Sequence, residues 1–166
     1  RLVVTGGGTG GHVFPALEVA RFAHNLEAKV LYMGSLRGQE ANSCTKAGLS
    51  FQGFDSEPLY SFKSVKGWMA LARLMKASNA ARRALIAAKP DVVFSTGGYS
   101  SAPVVAAARR LRIPFVIHEQ NAVPGRTNKI LAGRAAYVAI TFASSADQFA
   151  VRTVRTGLPV RQELRS

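Results

Sequence analysis

The chain has 166 residues, 48% of them hydrophobic, and carries 22 Lys and Arg against 9 Asp and Glu for a formal charge of +13. That length and apolar content suit one ordinary domain with a real core and exclude an intrinsically disordered chain. A lone cysteine, Cys44, excludes an internal disulfide and a cysteine-based zinc site, and no run approaches the roughly 18 apolar residues of a membrane-spanning helix. The positive excess predicts attraction to something anionic, whether nucleic acid, anionic lipid or a phosphorylated substrate, without choosing among them.

Short β-branched runs alternate with helical segments, the pattern of a parallel α/β sheet with helices on both faces. Arg1–Thr5 reads directly as a buried strand, so no signal peptide is expected. Gly6–His12 is a glycine-rich turn, and Val13–Leu26 is a helix that tolerates Pro15 in its first turn. Lys29–Met33 is a second strand. Gln39–Ala47 is a short helix stopped by Gly48, and Phe51–Phe54 is a third strand. A long connection, Glu57–Lys66, leads into a helix over Gly67–Ala88. Asp91–Ser95 is a fourth strand, Thr96–Ser101 a second glycine turn and Ala102–Leu111 a helix. Pro114–His118 is a fifth strand, Glu119–Gly125 a loop, Arg126–Ala132 a short helix and Tyr137–Thr141 a sixth strand. The stretch Val151–Ser166 holds a break at Gly157-Leu158-Pro159. No tandem repeat or internal linker divides the chain, so residues 1–166 read as one Rossmann-like domain.

Three loops carry the chemistry. In the first turn, Gly6, Gly8 and Gly11 satisfy the dinucleotide pattern G-x-G-x-x-G, and the turn opens a helix whose free N–H groups and dipole favour a phosphate. A nicotinamide enzyme also needs an acid near the end of strand two; here that strand ends Tyr32-Met33-Gly34. No Gly-Lys-Ser/Thr follows the glycines, which excludes a P-loop. The second turn, Thr96–Ser101, also joins a strand to a helix, and two such turns at strand ends imply a ligand in the crevice there. The third loop begins His118-Glu119-Gln120-Asn121, four polar side chains ending a buried strand, some of which serve to cap and lock the loop, Glu119 and Gln120 being the candidates for that role.

Gly6–Pro15, Thr96–Pro103 and His118–Lys129 resemble, in order and separation, three signature segments of the MurG-like glycosyltransferases of family 28. The resemblance runs to Gly157–Arg161. The family's closing segment usually reads Gly-Asn-Pro-Val-Arg, and here Leu158 stands in place of the asparagine while Arg161 is kept.

The resemblance implies a GT-B enzyme, two Rossmann-like domains facing across a cleft. It implies transfer of N-acetylglucosamine, with inversion, from its UDP donor to the C4 hydroxyl of a muramoyl-pentapeptide on undecaprenyl diphosphate, a step of peptidoglycan synthesis. This chain corresponds to the N-terminal, acceptor-binding domain. The donor contacts belong mainly to a C-terminal domain absent from it, so the chain alone is expected not to turn over. The setting implied is peripheral attachment at the cytoplasmic face of the bacterial inner membrane, with the lipid-linked acceptor and an anionic surface as partners and no nucleic acid. No cofactor and no metal are expected beyond the UDP-N-acetylglucosamine substrate. The alternative is a non-catalytic, membrane-recruiting acceptor subunit of a split GT-B enzyme.

Inversion calls for a base, and His12, at the mouth of a glycine turn, is the candidate in this half. Its alternative role is to cap its helix or donate to a phosphate. Thr9 and the Gly8, Gly10 and Gly11 amides are expected on a diphosphate, either the donor's or the lipid's. Gly98, Tyr99 and Ser100 are expected on the acceptor side, His118, Glu119 and Asn121 in the sugar-binding loop, and Arg161 on the donor's nucleotide or phosphates.

The stretch Leu59–Arg83 mixes Leu59, Tyr60, Phe62, Trp68, Met69, Leu71, Leu74 and Met75 with Lys63, Lys66, Arg73, Lys76, Arg82 and Arg83 and holds no acid. Trp68, Leu71 and Met75 sit near helical spacing, which assigns a helix face to the core and leaves the Leu59–Phe62 loop to the membrane.

Overall fold

The computed structural model describes residues 1–58 and 65–160. Seven strands form a single parallel sheet: β1 (Leu2–Thr5), β2 (Val30–Ser35), β3 (Ser50–Phe54), β4 (Val92–Ser95), β5 (Phe115–Glu119), β6 (Tyr137–Ile140) and β7 (Thr153–Arg155). The spatial order is β3-β2-β1-β4-β5-β6-β7. The chain moves outward from β1 to β3, then crosses back to lay β4 against the free side of β1. That reversal puts the topological switch point between β1 and β4, where open α/β sheets leave a crevice at the strands' carboxyl ends.

The helices are α1 (Gly10–Asn25), α2 (Glu40–Lys46), α3 (Val65–Ala88), α4 (Ala102–Arg110) and α5 (Arg126–Leu131), with short 3-10 segments at Ala132–Arg134 and Ala143–Gln148. Side chains alternate across each strand, so neighbours serve opposite faces. Val4 and Tyr32 join Val13, Ala16, Leu17, Ala20 and Cys44 under α1 and α2. Val3, Met33 and Val93 join Ala77, Ala81, Leu85, Val104 and Val105 under α3 and α4.

Four features differ from the sequence expectation. Helix α1 begins at Gly10 rather than Val13, with Thr9 as an extended N-cap (φ −141°, ψ 157°). The last glycines of the first turn therefore lie inside the helix. Pro15 then falls beyond the first turn; lacking an N–H, it leaves the Gly11 carbonyl without its usual i+4 donor. Strand β7 was not expected, because Thr153–Arg155 is three residues of a charged edge strand with little apolar alternation to reveal it.

The last difference lies in α3. It packs against α4, and its buried residues are Gly67, Ala70, Ala77, Ala81 and Leu85. Apart from Leu85, the buried face is thus made of small residues, and Trp68, Met69 and Met75 point outward: Trp68 is 63% exposed, Met69 51% and Met75 63%. Trp68 and Met75 do not belong to the core; only Leu71 and Leu74 are half-buried. The loop residues Leu59, Tyr60, Phe62 and Lys63 lie outside the described residues, as does Arg161.

Candidate functional site

The three loops meet at the switch point, and one backbone carbonyl joins them. The Thr96 carbonyl accepts from His12 Nδ1 at 2.9 Å and from Gln120 Nε2 at 3.0 Å. The Thr96 hydroxyl donates back to the His12 carbonyl at 2.7 Å, and the Gly7 amide donates to the Gly97 carbonyl at 3.2 Å. Close approach demands glycine at Gly98, which has φ +82° and whose Cβ would fall 2.0 Å from the Gly7 carbonyl oxygen.

This contact fixes the tautomer of His12. A carbonyl only accepts, so Nδ1 carries the proton and, in the neutral ring, Nε2 presents a lone pair. No described residue bonds to Nε2. His12 is half-buried and lines a cleft of about 750 Å3 together with Thr9, Gly10, Gly11, Gln120 and Asn121 on one side and Leu158, Pro159 and Val160 on the other. The His12 and Val13 amides both turn back to the Thr9 carbonyl, whereas the Gly10 and Gly11 amides, at the start of α1, have no acceptor among the described residues. Two free N–H groups at a helix N-terminus, beside a poised imidazole, can hold an anion and accept a proton within one cleft.

Of the residues named from sequence, Thr9, Gly10, Gly11, His12 and Asn121 line this cleft. The other described ones are not part of its lining. The Tyr99 ring is half-buried against Gly8, where an added Cβ would fall 2.4 Å from it. Ser100 is fully buried beneath Gly7. His118 is also buried: its Nε2–H donates to the Gly157 carbonyl at 2.8 Å and its Nδ1 accepts from Gln120 at 3.2 Å. Burial pushes the His118 pKa below the usual imidazole value, against the opposing pull of the Gly157 carbonyl and of Glu119.

Glu119 is fully buried and takes four N–H donors. Oε1 accepts the Asn121 amide at 2.9 Å and Asn121 Nδ2 at 3.1 Å; Oε2 accepts the Gly125 amide at 3.0 Å and Asn128 Nδ2 at 2.8 Å. Its carboxylate therefore locks the third loop and aims Asn121 at the cleft. Gln120 both bonds its neighbours and lines the cleft.

Sequence reasoning missed several residues here. Phe14 and Glu18, one turn apart on α1, also line the cleft, and helical periodicity from Gly10 and Gly11 could have found them. Glu40 carried no motif signal, and Asn128, although inside the His118–Lys129 segment, was not singled out. Among the described residues no group of three or more His, Cys, Asp or Glu side chains is placed to hold a metal ion.

Comparison with known proteins gives this geometry a context. The glycosyltransferase family 28 N-terminal domain matches residues 2–140. A Desulfitobacterium hafniense protein named UDP-N-acetylglucosamine--N-acetylmuramyl-(pentapeptide) pyrophosphoryl-undecaprenol N-acetylglucosamine transferase is 44% identical over 168 residues, covering 99% of this chain and 46% of that protein. The protein of the same name from Oenococcus oeni is 43% identical over 173 residues, covering 99% and 45%. The chain spans about half the length of the curated relatives it matches. Among solved structures, Acinetobacter baumannii MurG superposes with a TM-score of 0.83 at 31% identity, over 97% of this chain and 46% of that one. An S. aureus MnaA–UDP structure superposes with a TM-score of 0.68 at 11% identity, over 99% and 48%, and speaks for the fold alone.

Proposed function

Since the chain belongs to the glycosyltransferase family 28 N-terminal domain family, we propose that it is the acceptor-binding half of an inverting N-acetylglucosaminyltransferase. The complete protein moves N-acetylglucosamine from UDP-N-acetylglucosamine to the muramoyl C4 hydroxyl of undecaprenyl-diphosphate-linked MurNAc-pentapeptide, in peptidoglycan synthesis. The observation that carries the reading is His12, held through Nδ1 by Thr96 with Nε2 facing a cleft whose floor is the start of α1.

In this reading the acceptor hydroxyl attacks the anomeric carbon in line. Nε2 of His12 takes the hydroxyl proton as the new carbon–oxygen bond forms, and the bond to the departing UDP breaks with its electron pair on the diphosphate oxygen. A fixed Nδ1–H leaves only the correct nitrogen available and removes the need to reorient the ring at reaction. The Gly10 and Gly11 amides take a phosphate oxygen, and Asn121 meets a sugar hydroxyl. The UDP-sugar is held mainly by a second, donor-binding domain of the complete protein.

The setting is peripheral, at the cytoplasmic face of the inner membrane. No helix among the described residues is long and apolar enough to cross a membrane. The outward apolar residues of α3, Trp68, Met69 and Met75, stand among Lys66, Lys76, Arg82 and Arg83 and suit an anionic surface. Arg73 does not join them, since it pairs with Glu57.

The test is sugar transfer by the full-length protein to a lipid-linked acceptor. His12→Ala is expected to lower kcat about 10²–10⁴-fold with little change in donor affinity. An unchanged kcat with weakened substrate binding would make His12 a binding residue and overturn the mechanism.

A further inference from the structure

Beneath the first glycine turn lies a fully buried carboxylate that the mechanism above does not use. Glu40, the first residue of α2, is 0% exposed, and its Oε1 accepts the Gly8 amide at 3.2 Å across 32 residues of sequence. Three glycines make room for it. A Cβ on Gly7 would fall 1.8 Å from Oε1, one on Gly38 1.7 Å from Oε2, and one on Gly34 3.2 Å from Cγ. The same Cβ on Gly7 would also fall 2.6 Å from Ser100 Oγ. Oε2 and the Ser100 hydroxyl are both buried and bond to no described residue, so two polar side chains are gathered under one backbone turn.

The consequence is a division of the turn. The Gly7 amide is taken by Gly97 and the Gly8 amide by Glu40, while the Gly10 and Gly11 amides are open to the cleft. A carboxylate already bonded to the Gly8 N–H also repels any phosphate brought to that amide. We infer that Glu40 is a positioning residue that seals the Gly6–Gly8 half of the turn, confines a bound phosphate to the Gly10 and Gly11 amides, and thereby sets the phosphate's place relative to His12. This inference rests on the reading of the turn as an anion cradle. It accounts for glycine at 7 and 38 by the space that Glu40 needs, not by ligand approach.

The experiment uses full-length protein labelled with 15N-glycine, inorganic diphosphate as the probe, and the variants Glu40→Ala, Glu40→Gln, Gly38→Ala and Gly38→Ala/Glu40→Ala. Diphosphate is expected to shift the Gly10 and Gly11 amide resonances and not Gly8. In Glu40→Ala, Gly8 joins the responders and its hydrogen exchange accelerates about tenfold or more, as for loss of a bond to a charged group. Glu40→Gln, which keeps an acceptor, restores slow exchange. Gly38→Ala alone disturbs Gly8, because its methyl displaces Oε2, yet it adds nothing once Glu40 is alanine. A Gly8 response to diphosphate equal to that of Gly10 in the unmutated protein overturns the inference. So does additivity of the Gly38 and Glu40 substitutions. If diphosphate moves no glycine at all, the anion reading of the turn fails, while Gly8 exchange and the Gly38–Glu40 cycle still decide whether Glu40 seals the turn.

Discussion

Replacing Glu119 by glutamine preserves shape, but it should cost the protein a large part of its stability. All four groups around the carboxylate are N–H donors: the Asn121 amide and side chain on Oε1, the Gly125 amide and Asn128 side chain on Oε2. Glutamine offers one acceptor oxygen, so its NH2 must confront one pair of donors. Facing it toward Gly125 and Asn128 orphans a side chain that is itself 2% exposed. The less costly choice turns the NH2 toward Asn121, which is exposed and can move to water. Two bonds to a charged group are worth about 1.5–3 kcal/mol each, and partial rescue by solvent brings the expected loss to roughly 2–4 kcal/mol. A small domain has only about 5–15 kcal/mol in total. Urea titration followed by circular dichroism measures it; the midpoint should fall with m unchanged. A loss under about 1 kcal/mol would show that the four contacts do not act as a lock.

Three further outcomes can be checked. His118 is held neutral by burial, its folded-state pKa lying below the unfolded value of about 6.5; the unfolded chain therefore binds more protons in that window. Stability should decline as pH falls from about 6.5 toward the folded-state pKa, and His118→Gln should flatten that part of a urea-midpoint profile. The Cys44 thiol is fully buried and pushed up to about 12, first by burial and then by Glu40. Iodoacetamide at pH 8 should leave it unlabelled in the native protein and alkylate it in urea; rapid native labelling would contradict its placement on the buried face of α2. Trp68→Ser/Met69→Ser/Met75→Ser, all on the outward side of α3, should reduce co-sedimentation with anionic vesicles at least about tenfold without lowering the melting temperature, and equal binding by the folded variant would place the membrane surface elsewhere.

The alternation of strand and helix, the two glycine turns at strand ends and the polar loop after β5 were legible in the residues alone. Each of these is written within a few consecutive residues: an apolar run for a strand, Gly48 for a helix stop, four polar residues closing a buried strand. The sequence could not determine which side chains of those loops face the ligand. His12 and Thr96 are 84 residues apart, and only the crossover that places β4 beside β1 brings them within a hydrogen bond. The same packing turns His118 and Glu119 inward, where four donors are waiting for the carboxylate, and leaves Asn121 outside. Helical spacing suggested that Trp68 and Met75 were core, but the buried face of α3 is made of small residues and Leu85, and Trp68 and Met75 point to solvent. Glu40 carried no motif signal, because Gly7 and the Gly8 amide, which define what it does, lie in a separate stretch of the chain from Gly34, Gly38 and Glu40 itself. Local pattern specifies elements through periodicity and turn chemistry; a site assembled from residues far apart in sequence exists only once the strands have been ordered and the helices packed.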